Sequence, residues 1–176
     1  MKHIKAKDSA HQFIGTDIQG NKIDLNDYKG QKVLLTFFRV ASCPFCNMAV
    51  QELIRGHEAL EKKGIKVIAL FASPAEEILH YAGKQNPPIT ILADPDFKIY
   101  KKYGVQFSYG GMMKTIFNPS SVFKAMKSGF FNMKSMTKRP IIPADFLIDE
   151  NQIIVKAHYG KDFGDHIPVA DLLKTF

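Results

Sequence analysis

The stretch from Val33 to Asn47 constrains this chain more than any other, because an apolar run ends directly on a Cys-Pro-Phe-Cys turn. Residues 33–39 show no polar face, which is typical of a strand buried on both sides. The segment that follows has apolar residues at helical spacing and ends in two lysines and a glycine, as helices do. The sequence therefore predicts a buried strand, a turn with two cysteines, and an amphipathic helix.

The position of the turn predicts the chemistry of its cysteines. Pro44 suits the first helical position, which places Cys43 at the N-cap. Unpaired N–H groups and the positive end of the helix dipole favour a thiolate there. Cys46 lies one helical turn further on, within reach of a disulfide. We expect Cys43 to be the more exposed sulfur and the one that reacts first.

Three other roles for the only two cysteines of the chain must be weighed. A zinc site would need two further ligands from scattered histidines, since there is no second Cys pair. Covalent haem attachment needs a histidine directly after Cys46, where Asn47 stands. Two structural core cysteines are the third alternative. We expect a redox-active dithiol with no metal and no bound cofactor, served by an external thiol or a thioredoxin-type reductant.

Length and composition favour one globular domain over residues 1–176, of which 45% are apolar. The first eight residues form a polar segment with no apolar run, and no later apolar run approaches the length of a membrane span. The expected protein is soluble, not exported and cytoplasmic. In a reducing cytosol a Cys-x-x-Cys pair indicates catalysis rather than a structural disulfide.

The positive charge is concentrated in one third of the chain. The formal net charge is +7, but the segment from Phe97 to Ala144 carries +9, and the remainder sums to −2. Such a balance raises the question of nucleic-acid binding. No nucleic-acid-binding motif is present, and the lysines are dispersed among methionines, so we expect no nucleic-acid partner.

The remaining elements predict an α/β fold with a central mixed sheet flanked by helices. A second buried strand is expected at 65–72 and a helix capped by Ser73 from there to about Gln85. A hairpin is expected at 146–159 and a terminal helix at 168–176.

Residues 105–140 predict a helical insertion before that hairpin. The segment holds five phenylalanines and five of the seven methionines: Phe107, Phe117, Phe123, Phe130, Phe131, Met112, Met113, Met126, Met133 and Met136. Ser120 and Ser121 favour a helix to about Lys127, whereas Gly110-Gly111 predicts a break. Because methionine-rich surfaces adapt to varied partners, we expect a flap beside the cysteines that offers an apolar wall with a positive rim to an apolar or anionic partner.

Four motifs follow one another along the chain: Asp27-Tyr28-Lys29-Gly30, Phe37-Phe38-Arg39 with the Cys43–Cys46 turn, Leu92-Ala93-Asp94-Pro95-Asp96 with Tyr103-Gly104-Val105, and Pro143-Ala144-Asp145-Phe146-Leu147-Ile148-Asp149. In this order they resemble a thioredoxin-fold family, the peroxiredoxin-like alkyl hydroperoxide reductase and thiol-specific antioxidant (AhpC/TSA) proteins. The resemblance runs from about Phe13 to the C-terminus and implies a thioredoxin-like fold and thiol redox chemistry.

The chain departs from the family pattern at its chemical positions. Aligning the peroxidatic cysteine of the Pro-x-x-x-Thr-x-x-Cys signature with Cys46 places Arg39 at the proline and Cys43 at the threonine. The family's arginine before the Phe-Ile-Ile-Asp strand falls on Pro143. That proline resembles the cis-proline that faces Cys-x-x-Cys in thioredoxin-like disulfide reductases, so a cis Pro143 beside the sulfurs is expected.

Two enzymatic hypotheses and one non-catalytic hypothesis follow. In the first, Cys43 attacks a disulfide, Cys46 resolves the mixed disulfide, Pro143 docks the substrate, and Arg39 either stabilises the thiolate or is a solvated residue at the strand end. In the second, Cys46 reduces a hydroperoxide and Cys43 resolves it, with Arg39 or Arg139 activating the peroxide. The third is a redox-sensing binding module.

Overall fold

The computed structural model describes residues 3–127, 129–130 and 139–175. A five-stranded sheet forms its centre, and a two-stranded sheet precedes it. In chain order the strands are β1 (Ile14–Thr16), β2 (Lys22–Asp24), β3 (Lys32–Phe37), β4 (Ile65–Phe71), β5 (Thr90–Ala93), β6 (Ala144–Ile148) and β7 (Ile154–Tyr159). The central sheet has the order β5-β4-β3-β6-β7; β5, β4 and β3 are parallel, and β6 and β7 form the antiparallel hairpin.

Strand β3 occupies the middle of this sheet and is buried on both faces, as its apolar sequence predicts. Leu34 and Phe38 belong to the apolar cluster on one face, which also contains both cysteines. Leu35 and Phe37 belong to the cluster on the other face. The mixed sheet with helices on both sides confirms the predicted thioredoxin-like fold class.

Six α-helices connect and flank the strands. They are α1 (Pro44–Lys62), α2 (Ala75–His80), α3 (Lys98–Lys102), α4 (Tyr109–Ile116), α5 (Pro119–Lys127) and α6 (Val169–Thr175), among the residues described. Helix α2 ends at His80, and a 3-10 helix (Ala82–Gln85) continues to the expected end, whereas Ser73 does not cap α2. The Ser73 hydroxyl instead accepts a hydrogen bond of 3.1 Å from the N–H of Ala41, in the loop before the cysteines.

The described part of the insertion is helical, as predicted, but the predicted break at its glycines is wrong. Gly110 and Gly111 do not break the chain; they lie inside α4, whose N-terminus is capped by the Ser108 hydroxyl accepting from the Gly111 N–H. Gly111 is buried, and an added Cβ would lie 2.5 Å from Cδ1 of Ile142, so this close packing needs a glycine. Helix α5 covers the range expected from its serines.

Three residues singled out in the insertion, Phe131, Met133 and Met136, lie outside the described part of the chain. Of the described helices, none is long and apolar enough to cross a membrane.

Candidate active site

The redox turn has the geometry that the sequence predicts. Cys43 is the N-cap of α1 with φ −72° and ψ 124°, and Pro44 is the first helical residue. The side-chain amide of Asn47 donates to the carbonyl oxygens of Ala41 at 2.7 Å and Cys43 at 2.9 Å. Asn47 therefore fixes the loop on which Cys43 stands, a role that the sequence did not reveal.

Both sulfurs are buried, and the expectation of an exposed Cys43 is wrong. Cys43 has 0% and Cys46 1% of its surface exposed. Both belong to one apolar cluster with Ala125 of the insertion helix α5 and Phe163 of the C-terminal loop. The insertion thus contributes a buried residue to the cluster that encloses the cysteines, which sequence periodicity alone could not show.

Arg39 is buried and in contact with both cysteines. Its side chain is 1% exposed, so it is not a solvated residue at the strand end. Nη1 donates to Sγ of Cys43 at 3.5 Å, and the backbone N–H donates to Sγ of Cys46 at 3.4 Å. Nε donates to the Arg139 carbonyl at 2.9 Å, and the guanidinium lies 3.9 Å from the ring centre of Phe163. This arrangement points the cation at the thiol of Cys43.

These contacts separate the two thiols in acidity. Burial opposes ionisation of Cys43, yet a hydrogen bond from Cys46 and the charge of Arg39 lower the pKa of its thiol to about 6. Burial raises the pKa of Cys46 well above its usual value, and the hydrogen bond and negative charge of Cys43 raise it further. One thiolate and one thiol is therefore the stable form of the reduced pair at neutral pH.

Pro143 does not have the predicted conformation. None of the peptide bonds of the described residues is cis, so Pro143 is trans. The backbone around it is already engaged: the Ile142 N–H donates to the Gln106 carbonyl at 2.9 Å, and the Pro143 carbonyl accepts from the Gly160 N–H at 2.9 Å. Pro143 leads directly into β6, and the docking argument that rested on a cis bond is lost.

Arg139, the other arginine considered as an activator, is turned away. Its guanidinium donates to the Pro95 carbonyl at 3.4 Å and lies 4.8 Å from the ring centre of Phe97. Among the described residues, Arg139 is connected to the cysteines through its backbone carbonyl, which accepts a hydrogen bond from Nε of Arg39.

A buried polar group beside this site was missed. Asp145 accepts hydrogen bonds from Thr36 and the N–H of Ile167, and its carboxylate pairs with the ring of His166. The one signal in the sequence was an aspartate inside an apolar strand, because such a residue needs buried partners. Nothing marked His166, which follows a glycine-rich loop.

In the part of the chain that the structure describes, no group of three or more His, Cys, Asp or Glu side chains is arranged to hold a metal ion.

Comparison with known proteins gives one consistent family. The model of the AhpC/TSA family matches residues 6–157. Peroxiredoxin Bcp of Escherichia coli (strain K12) is 30% identical over 115 residues, which are 65% of this chain and 74% of that protein.

Two solved structures illustrate the likeness in fold. The crystal structure of peroxidoxin BcpB from Mycobacterium tuberculosis superposes with a TM-score of 0.72 at 16% identity and covers 98% of this chain and 96% of that one. A putative thiol:disulfide interchange protein DsbE from Chlorobium tepidum gives 0.62 at 19% identity, with coverage of 89% and 86%. With its two cysteines on this frame, the chain belongs to the AhpC/TSA family and is a thiol-dependent oxidoreductase.

Proposed function

We propose that the chain exchanges its Cys43–Cys46 dithiol with substrate disulfides, with Cys43 as the attacking thiolate and Cys46 as the resolving thiol. The observation that carries this assignment is the pair of donors at Cys43: the Arg39 guanidinium and the Cys46 thiol both stabilise a charge on its sulfur. A thiolate is the nucleophile in disulfide exchange, and a pKa near ambient pH suits it best.

The same contacts prepare the second step. While Cys43 is a thiolate, its charge holds the Cys46 proton in place. Attack on a substrate disulfide turns Cys43 into a neutral mixed disulfide, so this repulsion disappears. The Arg39 N–H still donates to Sγ of Cys46 and favours its thiolate. Cys46 then displaces the substrate sulfur, and an external thiol or thioredoxin-type reductant restores the dithiol.

The substrate would approach along a groove beside the turn. Phe45 and Met48 of α1 line it on one side and Phe123 and Lys127 of α5 on the other. Phe123 is 57% exposed, which gives the insertion an apolar wall at this place. Glu52, Asp162, Asp165 and Arg55 also line the groove, so its rim carries both signs of charge rather than the uniformly positive charge expected from composition.

An apolar or anionic partner at the insertion remains part of the proposal. Six of its large apolar side chains are more than two-fifths exposed: Phe107, Tyr109, Met113, Phe117, Phe123 and Met126. A surface of this kind suits a protein reductant or a bulky substrate. A Cys-x-x-Cys pair used for catalysis suits a reducing compartment, and the proposed location is the cytoplasm.

A thiol peroxidase is the second candidate, because relatives of the chain are named peroxiredoxins. In its original form this hypothesis makes Cys46 the peroxidatic residue. The raised pKa of Cys46 disfavours that order, since a thiol attacks peroxide far more slowly than a thiolate. The guanidinium of Arg39 would be placed to orient a peroxide at Cys43. At Cys46, the group that Arg39 presents is its backbone N–H, which donates a hydrogen bond to the sulfur.

Matched serine variants distinguish the two candidates. With Cys46→Ser, we expect Cys43 to form a stable mixed disulfide with a small aromatic disulfide near neutral pH, counted by mass spectrometry. Cys43→Ser, the control, should react much more slowly. Rapid oxidation of the Cys43→Ser protein by one equivalent of hydroperoxide, at a rate far above that of a free thiol, would replace this assignment with the peroxidase.

A further inference from the structure

Next to the redox turn, a histidine, an aspartate and a threonine form a buried hydrogen-bonded group. Oδ1 of Asp145 accepts from the Thr36 hydroxyl at 2.6 Å and lies 3.0 Å from Nδ1 of His166. Its Oδ2 accepts from the N–H of Ile167 at 2.7 Å. Nδ1 of His166 therefore carries a proton whenever Asp145 is ionised, and the charge of the ring is decided at Nε2.

Nε2 of His166 is the unusual atom of this group. It is buried and has no hydrogen-bond partner within the described residues. The ring lies in a small cleft, between Thr36 and Asp145 on the sheet and Ala49 and Leu53 on α1. The cleft leaves about 20 Å³ for the centre of a water molecule, enough for one. The ring of His166 also lies 4.7 Å from that of Phe38, the residue before Arg39.

The negative charges around the ring of His166 favour its imidazolium form, and one of these charges is the thiolate of Cys43. Burial lowers the pKa of His166, but the charge and hydrogen bond of Asp145 raise it above its usual value, and the charges of Cys43 and Asp165 add to this. Asp165 is already paired with His158. Glu52 lines the same cleft, and Arg55, Lys127 and Asp162 line the larger groove that His166 also reaches. The cation of Arg39 is directed at Cys43.

We propose that His166, held by Asp145, stores the second proton of the redox cycle: it is an imidazolium while Cys43 is a thiolate and gives up that proton when the disulfide forms. This makes it a positioning residue that acts on Cys43 through its charge. The inference rests on the proposed dithiol cycle but not on which substrate is reduced.

The balance of atoms supports this assignment. The reduced protein holds a Cys43 thiolate, a Cys46 thiol and a His166 imidazolium, which together are neutral. Reaction with a disulfide breaks its S–S bond, forms the Cys43–Cys46 bond and passes two electrons to the substrate. The two substrate sulfurs take one proton from Cys46 and one from His166 and leave as thiols. The external reductant returns both protons with its two electrons.

The test follows His166 in the unmodified protein by NMR of labelled histidine side chains. The dithiol and disulfide forms are prepared chemically, so the measurement needs no turnover. We expect the midpoint of the His166 titration to fall by about one pH unit or more when the disulfide replaces the thiolate, the size of effect that a nearby opposite charge produces. An unchanged midpoint in the two forms would overturn the proposal, whatever the substrate is.

Variants supply the reciprocal measurement. Linkage requires that loss of the imidazolium raise the pKa of Cys43 by the same amount, which the ultraviolet absorbance of the thiolate reports. We expect this rise in His166→Gln. In Asp145→Asn the carboxylate and the imidazolium charge are lost together, so the pair stays neutral and the pKa of Cys43 should change much less. His158→Gln is the matched control, because His158 is also paired with an aspartate and is more exposed. Equal Cys43 titrations in His166→Gln and His158→Gln would refute the coupling, and a misfolded His166→Gln leaves the NMR measurement decisive.

Discussion

Replacing Arg39 by methionine tests the central electrostatic argument. The guanidinium lies 3.5 Å from Sγ of Cys43 and is shielded from water, and methionine keeps an apolar chain next to Phe163 while removing the charge. An opposite charge at such a distance lowers a pKa by about 1–3 units. Since the hydrogen bond from Cys46 remains, we expect the pKa of Cys43 to rise from about 6 by about 2 units.

The rate of alkylation shows this shift in a characteristic way. Well below pH 6 a 2-unit rise removes about 99% of the thiolate, whereas the nucleophilicity of the remaining thiolate rises about eightfold, because it follows pKa with a slope of about 0.4–0.5. The variant should be slower by about tenfold in acid and faster by up to about eightfold in alkali. The two pH profiles should cross at about pH 7.

Two control variants test whether the charge of Arg39 is what lowers the pKa of Cys43. Arg39→Lys keeps the charge but loses the planar contact with Phe163, so its shift should be smaller. Arg55→Met removes an exposed arginine of α1 that is bonded to Gln51, and should leave the profile unchanged. If Arg39→Met and Arg55→Met gave the same profile, Arg39 would not be the source of the acidity of Cys43.

Two further predictions concern stability. The folded pKa of Cys43 is about 6 and its ordinary value is 9.0, so this thiolate stabilises the dithiol form fully above pH 9 and progressively less as pH falls to 6. The raised pKa of His166 opposes this gain, so the test uses His166→Gln: its urea denaturation should show the dithiol form gaining on the disulfide form over this range, and a constant difference in that variant would contradict the prediction. Gly111→Ala should lower the free energy of unfolding by about 1–2 kcal/mol and expose Cys43 to alkylation, because the added Cβ meets Ile142 and the Lys161 carbonyl. In the control Gly110→Ala, in the same helix, the added Cβ meets nothing nearer than 3.8 Å, and the free energy of unfolding should rise by up to about 1 kcal/mol. Equal effects of the two variants would show that α4 does not shield the site.

The features that the sequence predicts well are those fixed by local rules. An apolar run long enough for one strand, a proline that suits the first helical position and a glycine after two lysines each have a physical preference that acts over a few residues. For that reason the predictions of β3, of the N-cap position of Cys43 and of the end of α1 are confirmed.

The errors came from contacts between distant segments. Gly110 and Gly111 lower helix propensity, but the close approach of Gly111 to Ile142 stabilises a helix that local rules disfavour. The burial of Cys43 depends on Ala125 and Phe163, far away in sequence. The partner of Asp145 could not be found either, because His166 meets it across a separation of 21 residues.

Arg39 and Pro143 stand in exchanged places relative to the family pattern, and the sheet explains how the site tolerates the exchange. Strand β3 pairs with β6, and Phe37 lies opposite Ala144, so Arg39 follows the end of β3 at the edge of the sheet where Pro143 leads into β6. The charge therefore reaches the sulfur from the residues after β3 instead of those before β6. The exchange also changes the backbone, because a proline at position 39 has no N–H to donate. Arg39 therefore supplies the cation at Cys43 and the donor at Cys46 together, so one residue would serve both steps of the proposed dithiol cycle.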